Sequence, residues 1–593
     1  MATYTEPLHH VDLAAQLRIP AAEQPDSLSK RESPLIVGVL GHHELDSVRL
    51  PHLRDAFTAF LAEVQSHLCD TELRVIVGAT CGGDLLFVRE ALERGLHVEI
   101  ILPETPDALG EDFDADHRVA LQGLCEHPKV RCTVLPEPSL FDGRGNADAR
   151  GAAYAALTET LVRRSSILLT LWDGHSLVHG GIADVALRHV GVHTADDAAE
   201  ISLVMLGLAD DVDATDSIVS WTPATPAQTA SAVVSRMVSH MPAQLVRQLT
   251  DLDTYNRDFR RLRALQRDRP VASLLSDLPE DVSLDDRSAL EEVDAEYGKA
   301  DALALHYQAR SDRLFALFVA MAFTMGLAYL TYEKLAHRSL LLVSYLVVLI
   351  CSLGLYHALR GQHWFAKHLT YRALAETMRV TFYLRLAGID HHLDGARVLA
   401  LSGINRFRGF SLITHVLAAL AIRDTQASER RVPSRNRASW MEREWIEGQY
   451  RYFVRKVGQL RRKGQRVKIL KNTLFATILI VIVAMILEDG VMEGYKILFG
   501  VTLKNVATFV EGVFALLLGA WQLHENNRAS RELLLQYRNQ STHFARARQQ
   551  LAGLSDVGER NHVLLELGRD SLMESYMWTI HRYHREHEPV GRH

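Results

Sequence analysis

The sequence predicts an α/β domain built on a parallel sheet, followed by an all-α half with four transmembrane helices in two repeated hairpins. Three observations lead there. Short apolar runs alternate with amphipathic segments from residue 33 to 207. Two apolar runs, 314–332 and 339–359, carry no Asp, Glu, Lys or Arg. Each is about the ~20 residues that a helix needs to cross a hydrocarbon core. Two less clean runs, 469–487 and 506–523, follow as a second pair.

In order along the chain, 1–32 is a polar lead, and its first ten residues have neither a basic nor an apolar signal region. Candidate strands are 35–40, 73–77, 97–102, 130–135, 166–172 and 201–206, with helices near 49–68, 84–94, 152–164 and 183–189 in the crossovers. This alternation is Rossmann-like. Residues 208–290 form a connector, with a polar boundary at 209–224, a helix over 227–265 and a loop over 270–287. A helix from 291 to 313 then runs directly into the first span, as a rigid lever would. The first transmembrane unit is 291–422 and includes a short apolar segment, 409–422, that reads as a buried cytoplasmic helix. A linker, 423–440, leads to the second unit, 441–593.

Composition narrows the functions. The chain has 593 residues and a net charge of -7, which gives no case for nucleic-acid binding. Mean hydropathy of -0.02 fits a mixture of soluble and membrane segments. Five cysteines show no C-x-x-C pair and no metal-ligand spacing, so the expectation is reduced thiols in a cytosolic domain, with no metal site and no resident cofactor. Basic residues flank the spans on one side. Arg310, Arg313, Arg360, Lys367, Arg372 and Arg379 frame the first pair, and nine more between Arg451 and Lys471 lead into the third span. Glu488 and Asp489 open the loop beyond it. The positive-inside rule then predicts an inner-membrane protein with both termini cytoplasmic.

Three predicted strands end in glycine-rich turns, where a parallel sheet binds anions through backbone N–H groups and helix N-termini. The ligand-binding candidates are Gly41 and His42 after the first strand, and Gly82, Gly83 and Asp84 after the second. Trp172, Asp173 and Gly174, then Gly180 and Gly181, follow the fifth. The glycines would line phosphates. Asp84 and Asp173 would accept from ribose hydroxyls or cap helices, and Trp172 would stack on a base or serve the core. Neither the dinucleotide fingerprint nor the P-loop occurs at a strand end.

GVLGHHEL, GATCGGDLLFVREAL, ILPETPDALGEDFDADH and SILLTLWDG with a following Gly-Gly pair resemble the SLOG group of Rossmann-like domains. That group includes nucleotide hydrolases, the DNA-processing protein DprA, and sensors allied to the N-terminal domain of TRPM channels. The hydrolase branch uses P-G-G-x-G-T-x-x-E. Here Ala183, Asp184 and Leu187 stand where its third glycine, threonine and glutamate belong. Leucine is no general acid or base, so the resemblance implies a nucleotide receptor with no catalytic residue. A membrane-tethered nucleotide hydrolase, using another carboxylate such as Asp173, is the alternative.

In the membrane half, YRALAETMRVTFYLRLAGI, HFARARQQL and LGRDSLMESYMWTIHRY resemble the SLATT two-transmembrane effector domains. That resemblance implies a pore-forming effector in prokaryotic, antiphage nucleotide signalling. Its partners would be further copies of itself, the lipid bilayer, and an ADP-ribose-like or cyclic nucleotide made by a separate enzyme. Glu511 lies inside the fourth span and is a functional candidate by its cost in lipid. With Glu488 and Asp489 it would form an acidic outer mouth that favours cations.

Overall fold

Runs of β-branched and aliphatic residues such as LIVGVL and HVEIIL are too short for core helices and too apolar for exposed strands. A parallel sheet covered on both faces accommodates them. The computed structural model describes residues 32–40, 50–78, 82–103, 115–135, 156–157, 160–161, 164–172, 202–207, 219–221, 241–265, 271–276, 278–282, 284–389, 411–420, 435–487, 501–528 and 530–584. Strands β1 Leu35–Leu40, β2 Leu73–Val77, β3 His97–Leu102, β4 Val130–Val134, β5 Ile167–Trp172, β6 Ser202–Gly207 and β7 Val219–Trp221 form one sheet in the order β4-β3-β2-β1-β5-β6-β7. The first six are parallel and β7 pairs antiparallel with β6. Helices α1 Leu50–Ser66, α2 Gly82–Glu93 and α3 Ala115–Cys125 lie in the crossovers. The core contains Leu35, Ile36, Val37, Phe57, Phe60, Val75, Phe87, Ile100 and Leu168, all fully buried.

The helical remainder comprises α4 Ala243–Leu265, α5 Leu284–Lys334, α6 Ser339–Leu359, α7 Trp364–Leu386, α8 Ser411–Leu420, α9 Arg435–Met441, α10 Gly448–Leu487, α11 Leu503–Arg528, α12 Ser530–Leu551 and α13 Val557–His584. A π-helical turn, Glu442–Glu447, joins α9 to α10. Four helices, containing the runs predicted from sequence, are long and apolar enough to cross a membrane, and none of their most apolar stretches is buried by the rest of the chain. This is the pattern of a multi-pass membrane protein.

The chain divides into two compact units that interleave along the sequence, whereas the sequence reading cut it into consecutive segments. The first is Met1–Leu303, Thr370–Met441 and Ser555–Ile580; the second is Ala304–Leu369, Glu442–Leu554 and His581–His593. Tertiary partners explain the interleaving. Within the first unit, Tyr371 of α7 donates to Asp258 of α4 at 2.9 Å, Arg379 donates to Tyr297 of α5 at 2.9 Å, and Thr377 meets Tyr576 of α13 at 2.5 Å. These helices belong with the sheet rather than with the spans that precede them in sequence.

Four other expectations change. Cys125 and Cys132 form a disulfide, with Cα atoms 5.6 Å apart, that ties the end of α3 to β4. The spacing gave no sign of it because the intervening turn, not a motif, brings the two together. Strand β7 falls in a stretch read as a boundary, and α3 was not foreseen. The loop expected to reach 287 ends earlier, because α5 begins at Leu284. Segment 409–422 contains α8, a buried helix as expected.

In the second unit, spans pack through glycine. A Cβ on Gly326 of α5 would meet Leu516 of α11 at 2.6 Å, and one on Gly512 of α11 would meet Leu330 of α5 at 2.6 Å. The reciprocal pairs run antiparallel, with small residues at the contacts where the two backbones approach. Lys471 of α10 bonds Gln522 of α11 at 2.7 Å and pairs with Glu525, joining those two helices at one end of their spans.

Candidate ligand site at the carboxyl ends of the strands

The sheet order places β1 between β2 and β5, with Gly38 opposite both Ile76 and Leu168. The chain moves outward from β1 to β4 on one side and returns to β5 on the other. The crevice beyond the carboxyl ends of β1 and β5 is therefore a topological switch point, where parallel sheets bind ligands. The three strands whose following turns are glycine-rich are thus neighbours, which sequence order alone does not dictate.

Gly82 and Gly83 open α2, and Asp84 lies in its first turn. Asp84 is 1 % exposed, so its carboxylate complements the helix dipole from inside the fold rather than facing solvent. Trp172 is the last residue of β5, its backbone opposite Gly207 of β6. Gly41, His42, Asp173, Gly174, Gly180 and Gly181 lie outside the described residues, as do Leu187, Glu488 and Asp489. Glu511 lies on α11 and is half-buried, next to the Gly512 contact with Leu330.

Gly38, quoted above within the first glycine-rich motif, has a packing role. A Cβ there would fall 1.8 Å from Ser165 Oγ, which itself donates to the Leu161 carbonyl at 2.6 Å. Nearby, Glu99 of β3 accepts from both Arg164 amino groups, at 3.3 and 2.6 Å, and from Thr133 Oγ1 at 2.9 Å. Arg164 is 1 % exposed. This ion pair crosses the middle of the sheet face, since Glu99 is opposite Ile76, which is opposite Gly38. A glutamate inside the otherwise apolar strand HVEIIL is the sequence signal of this pair.

The amino end of β1 carries a second cluster that the sequence did not expose. Ser33 lies two residues before the strand. Its N–H donates to Asn256 Oδ1 at 3.1 Å, and Asn256 Nδ2 returns a bond to the Ser33 carbonyl at 3.0 Å and another to Thr71 at 2.9 Å. Lys299 Nζ of α5 donates to Ser33 Oγ and to Asn256 Oδ1, both at 2.7 Å, and lies 4.3 Å from the Tyr255 ring centroid. Glu296 accepts from Ser33 Oγ at 2.7 Å and from the Tyr255 hydroxyl at 3.0 Å. Burial lowers the Lys299 pKa, opposed by the charge of Glu296. Burial and then Glu296 push the Tyr255 hydroxyl well up. One turn earlier on α5, burial raises Asp294 to about 6 against hydrogen bonds from the Leu274 N–H and Ser273. Every polar group of Ser33, Asn256 and Lys299 that faces this cluster has a partner, as a buried polar network requires.

Comparisons with protein-family models, with curated proteins and with solved structures find no match to this chain.

Proposed function

We propose that this protein is a cytosolic nucleotide sensor that gates an oligomeric membrane pore, acting as an inner-membrane effector in prokaryotic antiphage signalling. The observation that carries the reading is the double attachment of β1. Its carboxyl end adjoins the turns that would hold the ligand. Its amino end is bonded to Lys299 and Glu296 of α5, and α5 continues without a break to Lys334 as the first span. A ligand that draws the turns together acts on a strand whose other end is fixed to a membrane helix. The Rossmann-like resemblance of the sheet and the SLATT-like resemblance of the spans support the same division of labour. The excess of basic residues around the spans supports a cytoplasmic sensor and cytoplasmic termini. Four spans in one copy leave little room for an aqueous path, so the pore is a homo-oligomer.

The test is release of dye and ions from vesicles containing the purified full chain, with ADP-ribose-type and cyclic nucleotides added one at a time and each assayed for breakdown in the same tube. Release triggered by one intact nucleotide is expected, and Gly181→Trp abolishes it. Breakdown of a nucleotide without release would make the protein a tethered hydrolase and the spans an anchor.

A further inference from the structure

Helix α10 crosses from water into the region of the third span without a break, from Gly448 to Leu487. Its basic residues differ along that length. Before residue 460, Arg451 is paired with Glu447 at 2.6 Å and Lys456 lies 5.6 Å from the Tyr452 ring centroid, while Arg455 is exposed like the stretch that follows. At the start of the span, Lys471 is held by Gln522 and Glu525. Between these, Arg461, Arg462, Arg466 and Lys468 are all exposed, and none makes an ion pair among the described residues. The chain that follows the fourth span, Asn526 to Arg531, adds two arginines and no acid.

Four unpaired cations on one short helical stretch repel one another and lower the helix's own stability. Outside anions offset that cost. Arg462 and Arg466 are four apart and Arg461 and Lys468 are seven apart, so they form two adjoining stripes. At ~1.5 Å per residue the stretch begins about 12 Å above Ile469, the first residue of the span. That height matches the headgroup layer and one Debye length beyond it. Two other junctions include a cation with an aromatic partner or an acid. Arg310, before the first span, stacks on Trp364 with 5.2 Å to the ring centroid, and Glu525 follows the fourth.

We infer that residues 461–468 of α10 are a docking surface for the phosphate headgroups of anionic lipids. The inference goes beyond the proposed function and does not depend on the nucleotide site. Orientation by the positive-inside rule needs an excess of basic residues, not a set left without acidic partners. Nucleic acid is the other polyanion such a surface could meet, but the net charge of -7 for the whole chain disfavours it. The attachment of the stripe to a span favours lipid. Each cation near a charged surface contributes about a fivefold gain in affinity.

The experiment compares the full chain in zwitterionic detergent micelles with added phosphatidylglycerol or phosphatidylcholine, counting retained lipids by native mass spectrometry. The wild type retains phosphatidylglycerol over phosphatidylcholine by at least about tenfold at low salt. Replacing Arg461, Arg462, Arg466 and Lys468 together by glutamine, which keeps helix propensity, brings the two lipids to near parity. Arg462→Gln with Arg466→Gln gives an intermediate loss and keeps the test decisive if the fourfold variant does not assemble. Arg451→Gln, which removes a paired cation, changes nothing. An unchanged preference in the glutamine variants would overturn the inference. So would loss of oligonucleotide binding in those variants with lipid preference intact.

Discussion

Helix α5 runs through two solvents, and its two ends are built by different rules. Along residues 284–303, Leu290, Val293, Ala300 and Leu303 are core, and Asp294, Glu296, Lys299 and Asp301 are buried. Asp294 is bonded to Ser273, Lys299 to Ser33 and Asn256, and Arg372 to Asp301. Along residues 314–334 nothing is buried, and the close contacts are Gly326 against Leu516 and Leu330 against Gly512. In water, burial of apolar surface drives packing, and any polar group taken along must be satisfied inside. Between spans that drive is absent, and close packing by small residues takes its place. One helix can therefore be anchored firmly at one end and remain adjustable at the other.

The sharpest way to break this contrast is Lys299→Met. It leaves Glu296 buried without its cation and takes from Asn256 Oδ1 one of its two donors, the Ser33 N–H remaining, so the sheet unit loses about 3–5 kcal/mol. Denaturant unfolding reads this as a lower midpoint; an unchanged midpoint would mean that the cluster does not anchor α5.

A second test uses pH. Burial pushes His415 of α8 down to about 4 from the usual 6.5, with no hydrogen-bond partner on either ring nitrogen among the described residues. Its folded pKa is depressed, so the unfolded chain takes up a proton first. Stability falls as pH drops below 6.5 and the loss is complete below about 4. The full difference is about 3 kcal/mol. His415→Leu removes it, so the variant gains on the wild type steadily over that interval. Asp294, raised to about 6, has the opposite sign: its contribution is complete below 3.8 and is lost as pH rises through about 6. The wild-type profile is therefore flatter than either group alone would make it. Parallel profiles for wild type and His415→Leu would refute the assignment to His415.

In the membrane half, Gly326→Leu overfills the contact with Leu516 and costs about 1–3 kcal/mol there. Detergent-induced separation of the spans detects it, while the denaturant midpoint of the sheet unit stays put. If the sheet unit shifted instead, the division of α5 would be wrong. The smallest effect expected is for Glu511→Gln, which lowers the cation preference of the proposed pore without altering stability. Unchanged selectivity would remove Glu511 from the pore.

The apolar periodicity made β1 to β6 and the four spans legible, since those patterns depend on local burial alone. α8 was legible for the same reason: a largely apolar stretch of that length is too short to cross a bilayer and too apolar to expose. What stayed hidden depends on partners distant in sequence. Ser33, Asn256 and Lys299 look like surface residues until three segments meet. Gly38 looks like part of a phosphate turn until Ser165 is placed against it, and Cys125 and Cys132 look free until a turn brings them together. β7, three residues in a Thr/Pro-rich stretch, exists because β6 offers an edge to pair with.

The most direct test of the account is hydrogen exchange on the full chain in lipid bilayers, with each nucleotide of the leakage panel. The account predicts that the nucleotide which releases dye also changes exchange at two places together: Ser33 with β1, and residues 294–303 of α5. Dye release with exchange altered only at the turns beyond β1, β2 and β5, and none along 294–303, would contradict transmission through this helix.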